Sequence, residues 1–143
     1  MNRIVVFLYL VFITQSVVFS ALTEKQMNAT KKLIRNTCLN KAKPSSDQVD
    51  GLQKGNFVDD KNLQCYTYCV LNTYKLIRKD NSFDWEGGVA ALEANAPTNI
   101  AGPGAKTIVN CKDAVKTATD KCMAAYEIAR CIYDDNPSNY FLP

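Results

Sequence analysis

The sequence predicts an all-α protein, a small helical bundle cross-linked by disulfides. Apolar residues recur at spacings of three and four along most of the chain, and no stretch alternates as a half-buried strand would. Side chains that favour helix N-termini precede several of these segments. The chain also contains six cysteines, and an even count in a small secreted protein indicates three disulfides.

Residues 1–20 have the pattern of a secretory signal peptide. Arg3 supplies a positive charge, residues 4–13 are an unbroken apolar run, and Val18-Phe19-Ser20 places small residues before a cleavage point. A membrane anchor is the alternative, but this run has about half of the roughly 20 apolar residues that cross a bilayer. We therefore expect a secreted protein whose mature part, residues 21–143, is a single domain.

The first two helices are predicted from their start signals. Thr23-Glu24-Lys25-Gln26 has the form of a capping box, and apolar residues follow it at helical spacing. The segment from Pro44 to Gln48 indicates a second, short helix that ends near Gly51 or Gly55.

Acidic residues mark the next two helices. The pair at positions 59 and 60 places negative charge at the head of a long third helix, which we expect to run to about Lys79. Asp84 begins a fourth helix, which the glycine doublet at 87 and 88 weakens and Pro97 ends.

Two further helices are predicted after a turn. Gly102-Pro103-Gly104 is typical of a turn. A fifth helix is expected from Ala105 to about Val115, and Asp120 is expected to cap a sixth that includes Cys122 to Tyr133.

The positions of the cysteines exclude some disulfides. Cys122 and Cys131 lie nine residues apart on one predicted helix, about 13.5 Å of rise, which is beyond the roughly 7 Å that a disulfide allows between Cα atoms. Cys65 and Cys69 have parallel side chains one turn apart, so a bond between them would be strained. Most of the 15 possible connectivities remain open. Zinc and thioredoxin-type sites fit poorly, because the sequence has no CxxC pair and no histidine.

The spacing of the six cysteines resembles the signature of the insect odorant-binding proteins. It reads Cys38-x26-Cys65-x3-Cys69-x41-Cys111-x10-Cys122-x8-Cys131, in which x3 and x8 are the fixed gaps of that family. The C-terminal tail, residues 132–143, ends in PSNYFLP and is similar to the tail of mosquito-type members. The resemblance implies the interlocked disulfides 38–69, 65–122 and 111–131, and a compact bundle of six helices around an apolar cavity.

The resemblance also implies a function and a set of site residues. It implies an extracellular carrier of small hydrophobic ligands, such as odorants or pheromones, that needs no cofactor or metal. Delivery would be to an odorant receptor or a membrane surface, and the carrier would be a monomer or homodimer. The implied pocket walls are Val89, Leu92, Ala96, Ile108, Tyr126, Ala129, Ile132, Tyr140 and Phe141. The Pro143 carboxylate is expected to pair with Arg35 and hold the tail as a lid.

Other classes of function are less well supported. An enzyme of the Ser-His-Asp type needs an imidazole, and the chain has no histidine. The acidic pairs at 59–60 and 134–135 could serve a glycosidase, but adjacent carboxylates more often cap helices or face water. With 17 basic and 14 acidic residues scattered along the chain, nucleic acid is not an expected partner. The main alternative is a signalling or toxin-like protein with a filled core.

Overall fold

Six α-helices and a short C-terminal 3₁₀-helix form the fold in a computed structural model, which describes residues 21–143. No strand occurs within that range, although Ile77 and Phe83 form one isolated antiparallel bridge. The predicted signal peptide lies outside the described residues. The helices are α1 Glu24–Ala42, α2 Ser46–Leu52, α3 Lys61–Thr73, α4 Trp85–Asn95, α5 Thr98–Asn110 and α6 Lys121–Asp135, followed by the 3₁₀-helix Pro137–Asn139.

Side-chain caps begin five of the six helices. Thr23 and Ser45 each form a complete capping box with the glutamine three residues later. Asp60, Asp84 and Asp120 accept hydrogen bonds from backbone N–H groups in the first turns of α3, α4 and α6. These contacts confirm the predicted helix starts, and each such cap stabilises a helix by about 1 kcal/mol.

The third helix is shorter than predicted. It ends at Thr73 instead of near Lys79, and Lys75 adopts a left-handed conformation with a φ of 60°. The chain then turns back, and the Leu76 and Phe83 side chains are buried in the core. A helix that continued in a straight line would have carried both of these apolar side chains away from the core. The free energy gained by burying them offsets the backbone strain at Lys75.

The predicted turn at Gly102-Pro103-Gly104 is wrong, because these residues lie inside α5. Pro103 has no N–H to donate to the Asn99 carbonyl. Asn99 and Pro103 are both exposed, so water can donate a hydrogen bond to the Asn99 carbonyl that the proline leaves unpaired. The same helix begins at Thr98, before the predicted turn, and ends at Asn110 rather than near Val115.

Two glycines allow α4 and α5 to pack closely. A Cβ atom at Gly88 would lie 3.2 Å from Ile108 Cδ1, and one at Gly104 would lie 2.9 Å from Leu92 Cδ1. Such distances are shorter than ordinary carbon contacts. Gly88 belongs to the glycine doublet that was expected to weaken α4, yet its missing side chain allows the close contact between α4 and α5.

The centre of the domain lies around α3. This helix contacts α1 and α6, while α4 packs mainly against α5. Most apolar side chains of α3 and α6 are buried. They form one hydrophobic cluster with buried residues of α1, α2 and α5, and partly buried side chains of α4 pack against it.

Three disulfides join these helices, and they are the pairs that the resemblance implied. Cys38–Cys69 joins α1 to α3, Cys65–Cys122 joins α3 to α6, and Cys111–Cys131 joins the end of α5 to α6. The two cysteines one turn apart on α3 thus bind the central helix to two different neighbours. All six cysteines are paired.

Candidate functional site

The C-terminal tail folds back into the domain. After α6 and the 3₁₀-helix, the chain runs in an extended form, and Tyr140, Leu142 and Pro143 are buried. Two hydrogen bonds hold it. The Tyr66 hydroxyl donates to the Pro143 oxygen at 2.7 Å, and Gln53 Nε2 donates to the Leu142 carbonyl at 2.5 Å. A chain end would ordinarily be loosely ordered, so these contacts make the tail part of the core.

In the structure, Arg35 and Pro143 each have another partner, and their pairing with each other as a lid anchor stays a prediction. Arg35 pairs with Asp50 of α2 at 2.7 Å. The left-handed residue Lys43 ends α1 and turns the chain, so that α2 brings Asp50 next to Arg35. The last residue is bonded by the buried Tyr66 instead.

Sequence analysis missed Tyr66 and Gln53 as residues that hold the tail. In the sequence, Tyr66 is one of the residues of the predicted third helix, and helical spacing alone gives its hydroxyl no role. A buried tyrosine usually finds a hydrogen-bond partner for its hydroxyl, and that requirement was the available signal. Gln53 lies just after α2 and gave no comparable signal, because its partner is 89 residues away in the sequence.

An aromatic cluster connects the tail to the loop before α3. We define it as Phe57, Tyr126, Tyr133 and Tyr140. Phe57 contacts Tyr126 and Tyr133 with ring centroids 5.4 and 5.8 Å apart, and Tyr133 contacts Tyr140 at 5.5 Å. All three pairs are edge-to-face, a geometry that contributes about 0.5–1.5 kcal/mol per pair beyond burial. The cluster therefore fixes the position of the tail against α6.

Three buried phenols belong to this region, and they differ in their hydrogen bonds. Tyr66 donates to Pro143, and Tyr126 donates to the Val58 carbonyl at 2.6 Å. Among residues 21–143, the hydroxyl of Tyr140 has no hydrogen-bond partner. Burial is the main cause that raises the pKa of Tyr126 to about 12, and it raises the pKa of Tyr66 and Tyr140 further above the ordinary value of 10. All three remain neutral donors under physiological conditions.

We expect these phenols to make the protein sensitive to alkali. In the unfolded chain they ionise from about pH 10, whereas in the folded chain they stay protonated to higher pH. Unfolding then releases protons, so the stabilising effect is complete below about pH 10 and is lost as pH rises through the raised pKa values. The measurement is the urea midpoint at pH 8 and at about pH 11, with phenolate absorbance followed at the same time. Full phenolate absorbance in a chain that keeps its native helical signal would contradict this prediction.

The predicted wall residues come together in the fold, with one exception. Five of them are buried members of the central hydrophobic cluster: Ile108, Tyr126, Ala129, Ile132 and Tyr140. Three are partly buried and pack against the cluster: Val89, Leu92 and Phe141. Ala96 is buried but lies outside the cluster. As ligand contacts, all nine remain predictions.

The described surface also has a polar groove that is separate from these residues. It has a volume of about 670 Å³ and lies between α5 and the end of α6, where Asn110 donates to Asp135 at 2.8 Å. Lys106 lines it as well, and none of the predicted wall residues does. An apolar ligand would gain little there, because about half of the groove's lining is polar and the groove is open to water.

Within residues 21–143 there is no group of three or more potential metal ligands among His, Cys, Asp and Glu side chains. None of the helices in that part of the chain has the length and apolar character needed to cross a membrane.

We expect the Tyr66 hydroxyl, and not Arg35, to keep the tail in place. Tyr66→Phe leaves the Pro143 oxygen without its donor, which is expected to cost about 1–3 kcal/mol. Arg35→Gln breaks a partly exposed ion pair with Asp50 and is expected to cost at most about 1 kcal/mol. The measurement is the rate at which carboxypeptidase removes the last residues, with thermal unfolding in parallel. Faster release from Arg35→Gln than from Tyr66→Phe would restore Arg35 as the anchor.

Comparison with known proteins identifies the family. The model of the PBP/GOBP family matches residues 20–135, which is most of the chain. The chain belongs to this family. The match begins beside the predicted cleavage point after Ser20, and the leader itself stays a prediction.

Relatives of this PBP/GOBP chain come from several organisms. It is 27% identical to general odorant-binding protein 72 of Anopheles gambiae over 85% of this chain and 99% of that protein. Among solved structures, it is similar to odorant binding protein 4 of Chrysopa pallens, with 38% identity, a TM-score of 0.77, and coverage of 85% and 99% of the two chains. It is also similar to odorant binding protein 5 of Apis mellifera, with 31% identity, a TM-score of 0.78, and coverage of 87% and 100%. The PBP/GOBP fold is therefore shared along nearly the whole described domain.

Proposed function

We propose that this protein is an extracellular carrier that binds a small hydrophobic ligand, such as an odorant or a pheromone-like compound, and takes it through an aqueous fluid. The observation that carries this proposal is membership of the PBP/GOBP family across residues 20–135, together with relatives that are named odorant-binding proteins. The six paired cysteines and the inward-folded tail support it, since both features hold helices around one apolar interior.

The ligand is proposed to enter the region where α4, α5, α6 and the tail meet. Ile108, Ile132 and Phe141 offer apolar surface there, and Tyr126 and Tyr140 add rings with polar ends. Binding would be driven by the removal of the ligand's apolar surface from water. Room for a ligand would come from movement of partly buried side chains such as Val89, Leu92 and Phe141, while two hydrogen bonds and the aromatic cluster hold the tail.

A carrier needs no chemical step, and the residues agree with that role. The sequence has no histidine, and its cysteines are all used in disulfides, so the imidazole of a Ser-His-Asp hydrolase and the thiol of a cysteine hydrolase are both missing. We expect delivery to take place at an odorant receptor or a membrane surface, from a monomer or a homodimer.

Displacement of an apolar fluorescent probe tests this proposal. Mature protein is titrated with N-phenyl-1-naphthylamine, and we expect enhanced, blue-shifted fluorescence with a Kd in the range of about 1–10 µM. Medium-chain alcohols, ketones or aromatic compounds are expected to compete it away. Reduced and alkylated protein serves as the control, because it lacks the cross-links that shape the interior. If a broad panel of apolar compounds fails to bind the native protein, the alternative of a signalling or toxin-like protein with a filled core is favoured.

A further inference from the structure

Tyr140 has a polar group that the fold itself does not use. Only 9% of the residue is exposed, and among residues 21–143 its hydroxyl has no hydrogen-bond partner. Buried hydroxyls in native proteins are nearly always bonded, so an unpaired one needs an explanation. Its neighbours Tyr66 and Tyr126 illustrate the usual arrangement, because each donates its proton to a main-chain oxygen, that of Pro143 and that of Val58.

The position of this hydroxyl is fixed by the surrounding structure. The Tyr140 ring packs edge-to-face on Tyr133, at 5.5 Å between centroids. The backbone on either side is held by the 3₁₀-helix before it and by the bonds from Gln53 and Tyr66 after it. A group held in this way loses little conformational freedom when a ligand bonds to it, which favours binding.

We propose that the Tyr140 hydroxyl is the polar anchor of the binding site, and that it selects ligands with a hydrogen-bond-accepting oxygen, such as ketones, aldehydes and esters, over hydrocarbons of the same size. The inference rests on the proposed carrier function and adds a ligand class to it. Tyr126 is the other phenol among the predicted wall residues, and its proton is already donated to the Val58 carbonyl.

A hydrocarbon ligand and a carbonyl ligand differ in the free-energy cost of burying the Tyr140 hydroxyl, which has no partner among residues 21–143. A hydrocarbon covers Tyr140 and leaves its proton without an acceptor, so the cost of burying that group remains. A carbonyl oxygen within hydrogen-bond distance of the phenol removes that cost. The phenol is suited to donate, because burial, together with the nearby Tyr66 and Tyr126, raises its pKa well above the ordinary value and keeps it protonated.

Selectivity is tested with two competitors of equal chain length, 2-undecanone and 1-undecene. Both are used to displace N-phenyl-1-naphthylamine from the wild-type protein, from Tyr140→Phe and from a control, Tyr68→Phe. The control removes a phenol that packs under Lys121 on the other side of α3, away from the proposed site. We expect Tyr140→Phe to lower the ratio of ketone to alkene affinity by about two- to tenfold, which is the effect of one neutral hydrogen bond. Tyr68→Phe is expected to leave the ratio unchanged.

Thermal unfolding of the unliganded variants provides a second test. Tyr140→Phe removes an unpaired buried hydroxyl, so its melting temperature is expected to equal or exceed that of the wild type. Tyr126→Phe removes a hydrogen-bonded one and is expected to melt at a lower temperature. An equal drop for both variants would mean that the Tyr140 hydroxyl is bonded in solution, and would overturn the proposal.

The outcomes separate this inference from the function on which it rests. If wild-type protein binds the probe and both competitors, but Tyr140→Phe leaves the affinity ratio unchanged, the carrier function stands and the polar anchor is refuted. If native protein takes up neither the probe nor the competitors, both proposals fail.

Discussion

Replacing Cys65 and Cys122 by serine is expected to lower the free energy of unfolding by about 4 kcal/mol. This disulfide closes a loop across 57 positions of sequence, and the chain-entropy relation assigns a loop of that length a stabilisation near that value. The bond also joins α3 to α6, the two helices at the centre of the hydrophobic cluster. Since small domains have a total stability of roughly 5–15 kcal/mol, a loss of this size is between about a quarter and four fifths of the total.

The Cys111–Cys131 bond provides the matched control. It spans 20 positions, so its replacement by two serines is expected to cost about 3 kcal/mol, less than the loss of the longer loop. Urea denaturation of the two double-serine variants gives the comparison, and a mass measurement confirms that the remaining four cysteines are oxidised. A larger loss of stability in the Cys111→Ser, Cys131→Ser variant would contradict the prediction, and would place the main effect in local packing instead of loop closure.

Gly55→Ala is expected to destabilise the fold by about 2–5 kcal/mol. Gly55 has a φ of 78°, in the left-handed region that costs an alanine roughly 1–2 kcal/mol. Its new Cβ atom would also lie 2.6 Å from Cε1 of the Tyr133 ring. That ring is held on two sides by its edge-to-face contacts with Phe57 and Tyr140, so it has little room to move, and such overpacking costs a further 1–3 kcal/mol or so.

The effect of Gly55→Ala is expected to reach the tail, because Tyr133 positions Tyr140. Urea unfolding measures the loss of stability, and carboxypeptidase digestion measures release of the last residues. Lys54→Ala is the control, since its side chain is exposed and its backbone has no positive φ, and its effect is expected to stay within about 0.5 kcal/mol. A Gly55→Ala variant as stable as Lys54→Ala would show that the ring or the loop relaxes freely.

The all-α class and the helix starts could be predicted because they depend on neighbouring residues. Thr23 and Ser45 bond to groups three positions away, and Asp60 does the same at the head of α3. Such contacts form in any local helix and are independent of the rest of the molecule. The exclusion of a Cys122–Cys131 bond was local in the same sense, because both residues lie on one helix.

Helix ends were predicted less well, because distant burial decides them. Local patterns continued α3 toward Lys79, but the core accepts Leu76 only after the chain has turned. Pro103 is typical of a turn, yet it lies within a helix whose contact with α4 depends on Gly104 and Leu92. In both places the free energy of packing exceeds the local preference.

The sequence by itself determined the class of fold, the caps that begin its helices and the cysteine spacing by which the family was identified. The tertiary structure decided which helices the cysteines join and paired Arg35 with Asp50 and Pro143 with Tyr66. It also buried the Tyr140 hydroxyl, which has no hydrogen-bond partner in the described part of the chain. The physical reason is the distance along the sequence over which each interaction acts. Caps and helical periodicity act over three or four residues, whereas an ion pair, a tail contact or an unpaired donor depends on which distant groups share the same interior.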